Sequence, residues 1–296
     1  MASVFLFLSL AGEIACYLAI ARYRLGADWS IAMLGALGGL LGLRAGINAV
    51  GWLFAARYGS PPPLGVAGRL RLIVGEYLTF LLTFVVVLPF ERLWLPSDRL
   101  PTGGGRPLLL VHGYGCSRGV WWLLRRRLEA AGHTVATVSL FPSYTSIGKL
   151  VPQLNQRIEE ICAATGNRQL TLIGHSMGGL VCRSYLARHG SARVDKLITL
   201  ATPHAGTELA RLGIGQNARE MEPDSLWLRD MAGEQPGIPV FCLRNPWDNG
   251  VMPPDNQRLP AACDIELPPV GHVAMLYDER VAQILLDICQ VKGKTA

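Results

Sequence analysis

The chain combines two patterns of hydrophobic and polar residues, and the change between them falls near residue 100. Long, almost uninterrupted apolar runs occupy 2–23, 29–57 and 72–90. Each run is long enough to cross the roughly 30 Å hydrocarbon core of a bilayer as a helix. We therefore expect a membrane-spanning region at 1–96 with about three transmembrane helices.

Each apolar run carries a charge at a depth where charges are costly. Glu13, Arg44 and Glu76 stand within the first, second and third runs. A lone charge at the centre of a membrane helix costs at least about 2.5 kcal/mol, and pairing lowers that cost. We expect Arg44 to contact Glu13, Glu76 or both. The alternative is that Arg44 extends to the membrane surface and Glu76 lies near it.

A second kind of pattern begins after PSDRLPTGGGRP, a stretch at 96–107 whose proline and glycine are typical of a loop. We interpret 97–106 as a linker and 107–296 as a separate domain. In that domain short apolar runs alternate with segments of helical spacing. The predicted strands are 107–111, 134–140, 169–174, 196–202, 239–244 and 264–268. This alternation is typical of an α/β fold, a mostly parallel sheet with helices on both faces.

The composition agrees with this division into two parts and limits the kinds of binding partner that we expect. Half of the residues are hydrophobic and 17% are charged, against about a quarter charged in soluble domains. The net charge is +6, but the sequence has no basic stripe interleaved with stacking aromatics and no helix-turn-helix or zinc spacing. We therefore expect membrane lipids, and no nucleic acid, as the counterpart of the positive charge.

The arginines beside the apolar runs bear on orientation. If three helices cross the membrane with the N-terminus outside, the inner side holds Arg22, Arg24, Arg92 and Arg99, and the outer side holds Arg57, Arg69 and Arg71. Positive residues concentrate on the cytoplasmic side of membrane proteins. The second domain is therefore expected on the cytoplasmic face of a bacterial inner membrane.

One serine stands at the junction of a predicted strand and a predicted helix. In QLTLIGHSMGGLVCRSYLARHG the strand ends at Gly174 and the helix begins after Ser176. Glycine at 174 and 178 removes side chains that would collide in so tight a turn. The five-residue pattern G-x-S-x-G often arises by chance, but in a strand-turn-helix setting it is typical of a nucleophilic serine.

A serine hydroxyl is a weak nucleophile and needs a base, which in turn needs an acid to orient it. In this setting the acid and then the base follow the serine along the chain, at strand ends. Asp248 in NPWDNG and His272 in VGHVAM directly follow predicted strands. We predict Ser176, Asp248 and His272 as the catalytic residues, with Asp255 as the runner-up acid.

The negative charge that forms on a substrate oxygen needs hydrogen-bond donors. HGYG, at 112–115, follows the first predicted strand of the domain, where this architecture usually supplies a backbone donor. We predict the N–H groups of Tyr114 and Met177 as the oxyanion hole.

Together these segments resemble the α/β-hydrolase superfamily, in its bacterial lipase and esterase branch. The segments that carry the resemblance are LLLVHGYG, LIGHSMGGL, TLATPHAGTELA, NPWDNGVMPP and GHVAML. The resemblance implies hydrolysis of a carboxylic ester, a lipid or acyl ester, through an acyl-enzyme on Ser176. We expect no cofactor, and we expect no metal ion because no acidic cluster in the sequence resembles the calcium site of some lipases of this branch. It also implies a cap at about 205–237 and a structural role for His204. The N-terminal helices lie outside the general pattern of the family.

Two other functions are compatible with these residues. An acyltransferase would form the same acyl-enzyme and pass the acyl group to an alcohol instead of water. A membrane protein could also use a hydrolase-like domain as a non-catalytic scaffold. Hydrolase-like domains that have lost their activity usually lack at least one catalytic residue. Ser176, Asp248 and His272 are all present in this sequence, which favours an enzyme.

Overall fold

The computed structural model describes residues 2–290, and it begins with three long apolar helices. Helix α1 spans Ala2–Ala19, α2 spans Trp29–Tyr58 and α3 spans Val66–Leu81. Helices α1 and α3 continue as π-helical turns at Ile20–Arg24 and Leu82–Val87. With these turns, all three are long and apolar enough to cross a membrane. The third begins earlier than the predicted run at 72–90, and a short helix α4, Glu91–Trp94, follows it.

The charges of the first two helices meet. Arg44 of α2 forms an ion pair with Glu13 of α1, which confirms one of the two partners predicted for Arg44. Glu76 of α3 lies elsewhere, buried against loops of the second part of the chain. The apolar region is therefore in direct contact with the second part.

In the described residues, the second part contains one parallel sheet of six strands. The strands lie in the order β2-β1-β3-β4-β5-β6, and each neighbouring pair is parallel. Their bounds are β1 Leu108–Val111, β2 Val135–Val138, β3 Leu170–His175, β4 Val194–Leu200, β5 Val240–Arg244 and β6 Cys263–Glu266. The predicted α/β fold is confirmed, and each predicted strand differs from the observed one by at most two residues at either end.

Both faces of the sheet are covered, because alternate residues of its inner strands enter two separate cores. Leu109 and Val111 of β1 pack in one core, and Leu108 and Leu110 pack in the other. Strand side chains alternate between faces, so a strand that is apolar at every position is one that is buried on both sides. This explains the uninterrupted apolar run of β1.

Up to residue 290, six helices complete the second part. They are α5 Trp122–Ala130, α6 Ile147–Thr165, α7 Met177–His189, α8 Gln216–Glu220, α9 Leu226–Ala232 and α10 Glu279–Gln290. Helices α6 and α7 pack on the face of Leu109, and α5 and α10 pack on the face of Leu108. The fold is thus a three-layer sandwich of helices, sheet and helices.

The stretch between the two parts is held firmly near its start. The Asp98 carboxylate accepts hydrogen bonds from Arg125 at 2.8 Å and from Arg157 at 2.7 Å. It also accepts one from the backbone N–H of Thr137, in β2, at 2.7 Å. Whatever the division between the two parts, residue 98 is fixed to the sheet domain.

Candidate active site

Ser176 lies in a strained turn between β3 and α7. Its φ is 54° and its ψ is −128°, a conformation that is uncommon for residues other than glycine. The backbone N–H of Ser176 donates to the carbonyl of Leu200, at the end of the neighbouring strand β4, at 2.9 Å. Strain of this kind persists where surrounding structure enforces it, and it is concentrated at functional sites.

Two glycines make the turn possible, as the sequence predicts. A Cβ at Gly174 would lie 2.6 Å from the Cα of Gly179. A Cβ at Gly178 would lie 2.7 Å from the carbonyl oxygen of His112, which follows β1. Any side chain at either position would push α7 away from the sheet and displace the serine that precedes the helix.

Asp248 and His272 are joined by hydrogen bonds, although 24 residues separate them in the chain. His272 Nδ1 lies 2.9 Å from Asp248 Oδ1 and 3.0 Å from Oδ2. The Asp248 side chain is completely buried. Its Oδ1 also accepts from the backbone N–H groups of Gly250 at 2.6 Å and Val251 at 2.7 Å. These bonds fix the direction of the carboxylate.

The alternative acid, Asp255, lies in a different environment. It stands in a 3₁₀ turn at Pro254–Gln257, its side chain is 78% exposed, and it pairs with Arg258 at 2.9 Å. Of the two predicted acids, Asp248 is thus the one that contacts His272.

The charge of His272 is governed by its neighbours. Burial alone favours the neutral imidazole, but the Asp248 carboxylate and its hydrogen bond outweigh burial and raise the pKa of His272 above its ordinary value. An imidazole with a raised pKa binds a proton more tightly, as a general base must when it takes a proton from a serine.

His175, the residue before Ser176, contacts His272 through its ring and through a hydrogen bond. Its ring lies 4.7 Å from the ring of His272, and its Nε2–H donates to the His272 carbonyl at 3.1 Å. Burial, together with the nearby His272, holds the pKa of His175 well below its usual range. His175 is therefore neutral, and its contact brings the serine turn and the histidine loop to the same end of the sheet.

The two residues predicted to form an oxyanion hole, Tyr114 and Met177, lie in segments next to Ser176. A Cβ at Gly113 would lie only 2.9 Å from the Cβ of Ser176, so the loop that contains Tyr114 passes directly over the serine. Met177 is the first residue of α7, where backbone N–H groups lack partners within the helix. Strands β1 and β3 are neighbours whose connections leave in opposite directions, and such switch points are where open α/β sheets bind ligands.

The segment predicted as a cap contains no strand. It forms a 3₁₀ turn at Glu208–Leu212, followed by α8 and α9. The Tyr114 hydroxyl donates to the carbonyl of Ile214 at 2.7 Å and accepts from its N–H at 2.9 Å. The loop after β1 is thus fastened to this segment.

His204 lies at the base of the same segment and is buried. Its Nε2 contacts Thr199 Oγ1 at 3.1 Å, and its Nδ1 lies 3.4 Å from Arg183, which donates to the carbonyl of Met231 in α9 at 2.8 Å. Burial, and then the charge of Arg183, hold the pKa of His204 well below its usual range. A neutral, hydrogen-bonded histidine at this place suits the predicted structural role. Within residues 2–290, no group of three or more His, Cys, Asp or Glu side chains stands close enough to hold a metal ion.

The N-terminal helices also reach the site, which the sequence did not indicate. The Glu76 carboxylate of α3 accepts from the backbone N–H groups of Val273 and Ala274, directly after His272. A Cβ at Gly51 of α2 would lie 2.7 Å from the carbonyl oxygen of Asn249. Both loops that supply the Asp–His pair therefore rest on the apolar region. Backbone amides are the partners of Glu76, so no side-chain pattern in the sequence could have pointed to them.

The parallel sheet, the serine turn and the Asp–His pair are features of α/β-hydrolases. Comparisons with known proteins point to the same fold. The sequence model of one protein family, described as having the alpha/beta hydrolase fold, matches residues 106–221. A triacylglycerol lipase of Pseudarthrobacter phenanthrenivorans is 35% identical over 112 residues, which cover 35% of this chain and 35% of that protein. The chain thus spans about a third of the length of this curated relative.

Two solved lipases have a similar structure. Lipase B of Aspergillus fumigatus superposes with a TM-score of 0.63 at 14% identity, over 95% of this chain and 85% of its own. The mature lipase BlEst2 of Bacillus licheniformis superposes with a TM-score of 0.57 at 19% identity, over 66% of this chain and 96% of its own. At such identities these structures speak for the fold alone. Together with the family match over residues 106–221, they show that the chain has the α/β-hydrolase fold.

Proposed function

We propose that this protein is a membrane-anchored serine carboxylic ester hydrolase, an esterase or lipase that acts on a lipid or acyl ester. The observation that carries the proposal is the hydrogen-bonded pair of buried Asp248 and His272, at the same end of the sheet as the strained turn of Ser176. A buried carboxylate bonded to a histidine, at the same end of the sheet as a serine that begins a helix, supports acyl transfer to that serine.

The proposed reaction has two halves. In the first, Ser176 Oγ attacks the ester carbonyl carbon while His272 Nε2 takes the hydroxyl proton, and Asp248 stabilises the imidazolium. The backbone N–H groups of Tyr114 and Met177 donate to the oxyanion. The C–O bond to the alcohol then breaks, and the alcohol leaves with the proton from His272.

In the second half, water takes the place of the alcohol. His272 removes a proton from the water, which attacks the acyl carbon. The bond to Ser176 breaks, the serine regains its proton from His272, and the carboxylic acid leaves. One ester and one water thus give one alcohol and one acid, and the enzyme is restored.

An ester with an apolar acyl chain is supported by two observations. The matched relative from Pseudarthrobacter phenanthrenivorans is a triacylglycerol lipase. A cavity of about 200 Å³ beside the loop after β1 is lined by Gly115, Cys116 and the apolar residues Phe5 and Leu6 of α1. Burial raises the pKa of the Cys116 thiol to about 12, so this lining is uncharged.

Membrane attachment is supported by the surface of the N-terminal helices. Their apolar side chains are largely exposed, as at Leu34, Leu53 and Leu78, and exposed apolar surface of this extent marks an interaction with lipid or protein. We propose that 1–96 anchors the protein, that 97–106 connects it, and that the hydrolase domain occupies 107–296 with a cap at about 205–237. An anchor would hold the site close to substrates that are confined to a bilayer.

The proposal is tested with detergent-solubilised protein, wild type and Ser176→Ala. Both are treated with a fluorophosphonate probe and with p-nitrophenyl esters from acetyl to palmitoyl. Labelling and ester turnover that disappear together in Ser176→Ala are the expected result. Folded wild type that shows neither labelling nor turnover would support a non-catalytic scaffold instead. Acyl transfer to an added alcohol, with little free acid formed, would replace hydrolysis by transferase activity.

A further inference from the structure

Glu76 is a buried carboxylate that the ester hydrolysis described above does not use. It lies on α3, in the apolar region, and is 1% exposed. Its Oε1 accepts from the backbone N–H of Val273 at 3.0 Å, and its Oε2 accepts from the N–H groups of Val273 at 3.2 Å and Ala274 at 2.8 Å. These amides directly follow His272, 197 and 198 residues along the chain from Glu76.

We propose that Glu76 is a positioning residue for His272, so that a helix of the apolar N-terminal region forms part of the support of the active site. The inference rests on the proposed function, because it assigns Glu76 a role in the ester hydrolysis proposed for Ser176. Glu76 itself touches no substrate. It acts through the backbone of the histidine loop.

The contacts of the histidine loop explain this role. The His272 N–H donates to Asn249 Oδ1 at 2.9 Å, and the His272 carbonyl accepts from His175 at 3.1 Å. Glu76 holds the next two N–H groups. A Cβ at Gly271 would collide with the Glu76 carboxylate, so that carboxylate fills the space beside the residue that precedes His272. The backbone is thereby held on both sides of the imidazole.

The cost of burying Glu76 argues for a role. A buried carboxylate is unfavourable unless hydrogen bonds or charges compensate, and an apolar side chain would pack in a largely apolar helix without that cost. The two oxygens of Glu76 accept from two successive backbone N–H groups. The side chain therefore fixes the loop at two points, which an apolar side chain cannot do.

The charge of Glu76 also acts on His272 itself. Among the described residues, the titratable groups that face the imidazole are Asp248, Glu76 and His175. Asp248 and Glu76 both raise the pKa of His272, because a negative charge favours the imidazolium. Removal of the Glu76 charge should therefore lower that pKa, a change that a merely structural residue would not produce.

Kinetics of two variants test the inference. Glu76→Leu removes the acceptor, and we expect kcat to fall on the order of a hundredfold, with KM within about threefold, because a small misplacement of a catalytic group has an effect of this size. Glu76→Gln keeps one acceptor oxygen but no charge. We expect its kcat to fall less than that of Glu76→Leu and the acid limb of its pH profile to move to lower pH.

A matched substitution provides the control. Glu13→Gln changes a carboxylate of the same apolar region, one that pairs with Arg44, and we expect its kcat and pH profile to remain those of the wild type. If Glu76→Leu does not fold, the pH profile of Glu76→Gln decides. An acid limb at the wild-type position in Glu76→Gln would overturn the inference, as would a wild-type kcat in folded Glu76→Leu.

Hydrogen exchange separates this inference from the proposed function, because it needs no activity. In the Ser176→Ala background, we expect the peptide with Val273 and Ala274 to exchange faster when Glu76 is changed to Leu or Gln, and to be unaffected by Glu13→Gln. Unchanged exchange in the Glu76 variants would overturn the role of Glu76 even if the wild type is an active esterase. A wild type without ester turnover would refute the proposed function and leave the exchange result to show whether Glu76 holds the loop.

Discussion

At the scale of single residues, the two candidate acids give a direct test of the site. Asp248 accepts from His272 and from two backbone N–H groups, so an amide in its place would present an N–H where an acceptor is needed. We expect Asp248→Asn to lower kcat about 10⁴-fold, the size seen when the acid of a serine triad is made an amide. Steady-state hydrolysis of p-nitrophenyl butyrate measures this.

Asp255→Asn is the matched control for Asp248→Asn. Asp255 is exposed and pairs with Arg258, and we expect kcat within about twofold of wild type because exposed ion pairs contribute little. The opposite result, an active Asp248→Asn and an inactive Asp255→Asn, would move the acid of the site to Asp255.

The raised pKa of His272 predicts a particular dependence on pH. Only the neutral imidazole accepts a proton, so kcat/KM should rise with pH through the pKa of His272, which lies above the ordinary 6.5. Asp248 and Glu76 raise this pKa, whereas burial opposes the increase. We expect the midpoint of the acid limb above pH 6.5, measured with an ester that does not ionise. A midpoint below that value would contradict the electrostatic account.

The raised pKa of His272 also affects the stability of the folded protein, which changes with pH in the opposite direction to activity. A group whose pKa is raised on folding binds its proton more tightly in the folded state. Its contribution is complete below the pKa of the unfolded chain and is lost as the pH rises through the pKa of folded His272. Activity therefore increases over the pH range in which this part of the stability declines.

The residues that could be predicted and those that could not differ in a physical way. Ser176, Asp248 and His272 stand in short motifs at strand ends, where side-chain identity itself carries the chemistry. The partners of Glu76 are backbone amides far along the chain, and His175 acts through its ring contact and its bond to a carbonyl. Contacts of this kind depend on the packing of the two parts, which hydropathy and motifs do not encode.

At the scale of elements, α1 supplies part of a cavity beside the proposed oxyanion hole. Leu6 and Phe5 line this cavity of about 200 Å³ together with the chain that follows Tyr114. If the acyl group of the substrate lies in this cavity, Leu6→Trp should reduce the length of acyl group that the cavity accepts. We expect kcat/KM for octanoyl and longer esters to fall about tenfold, since lost burial of two methylenes costs about 1.6 kcal/mol, while the acetyl ester stays within about twofold.

Leu8→Trp is the control for the acyl cavity. Leu8 lies on the same helix and is 62% exposed, so a larger side chain there fills no cavity. We expect the dependence of kcat/KM on chain length to match the wild type. An equal loss for acetyl and palmitoyl esters in Leu6→Trp would indicate general damage to the site and would separate this cavity from the acyl chain.

The predictions of secondary structure are correct where a single hydrophobic pattern defines the element. Strand β1 is apolar at every position because both of its faces are buried, and the runs of β2 and β3 have the same cause. Helix α3 illustrates the limit of this reasoning. Its composition indicates a helix that can cross a membrane, but composition does not reveal that Glu76, on one side of the helix, is buried against the hydrolase domain.

At the scale of the whole molecule, the contacts of α3 bear on how the protein sits in a membrane. Just before α3, the carbonyl of Pro62 accepts from Trp247 Nε1 at 3.1 Å. In the turn that follows α3, Thr83 Oγ1 lies 2.8 Å from the hydroxyl of Tyr277. The hydrolase domain therefore contacts the chain at both ends of this segment.

A helix that crosses a bilayer has its ends on opposite sides. The segment Val66–Val87 has 22 residues and is about 33 Å long, close to the roughly 30 Å of the hydrocarbon core. A domain on one side of the membrane cannot contact both of its ends. We therefore expect α3 to lie along the membrane surface beneath the hydrolase domain, with α1 and α2 as a hairpin within the bilayer.

The arginines agree with this arrangement. The tip of the hairpin carries Arg22 and Arg24, whereas the side of the hydrolase domain then holds Arg57, Arg69, Arg71, Arg92 and Arg99. The larger group marks the cytoplasmic side. The domain is thus expected on the cytoplasmic face, as it is with three crossings, but the loop between α2 and α3 moves to that same face.

Single cysteines distinguish the two arrangements. We would label Ala27→Cys at the tip, Ser60→Cys in the loop before α3, and the native Cys263 of the domain, which is exposed, each with the other exposed cysteines replaced by serine. An impermeant maleimide is applied to sealed and opened vesicles. For the hairpin, Ser60→Cys and Cys263 react from one side and Ala27→Cys from the other. Ala27→Cys and Cys263 on one side, with Ser60→Cys opposite, would instead require α3 to cross the bilayer, and the contacts of Pro62 and Thr83 with the domain could not both exist in the membrane.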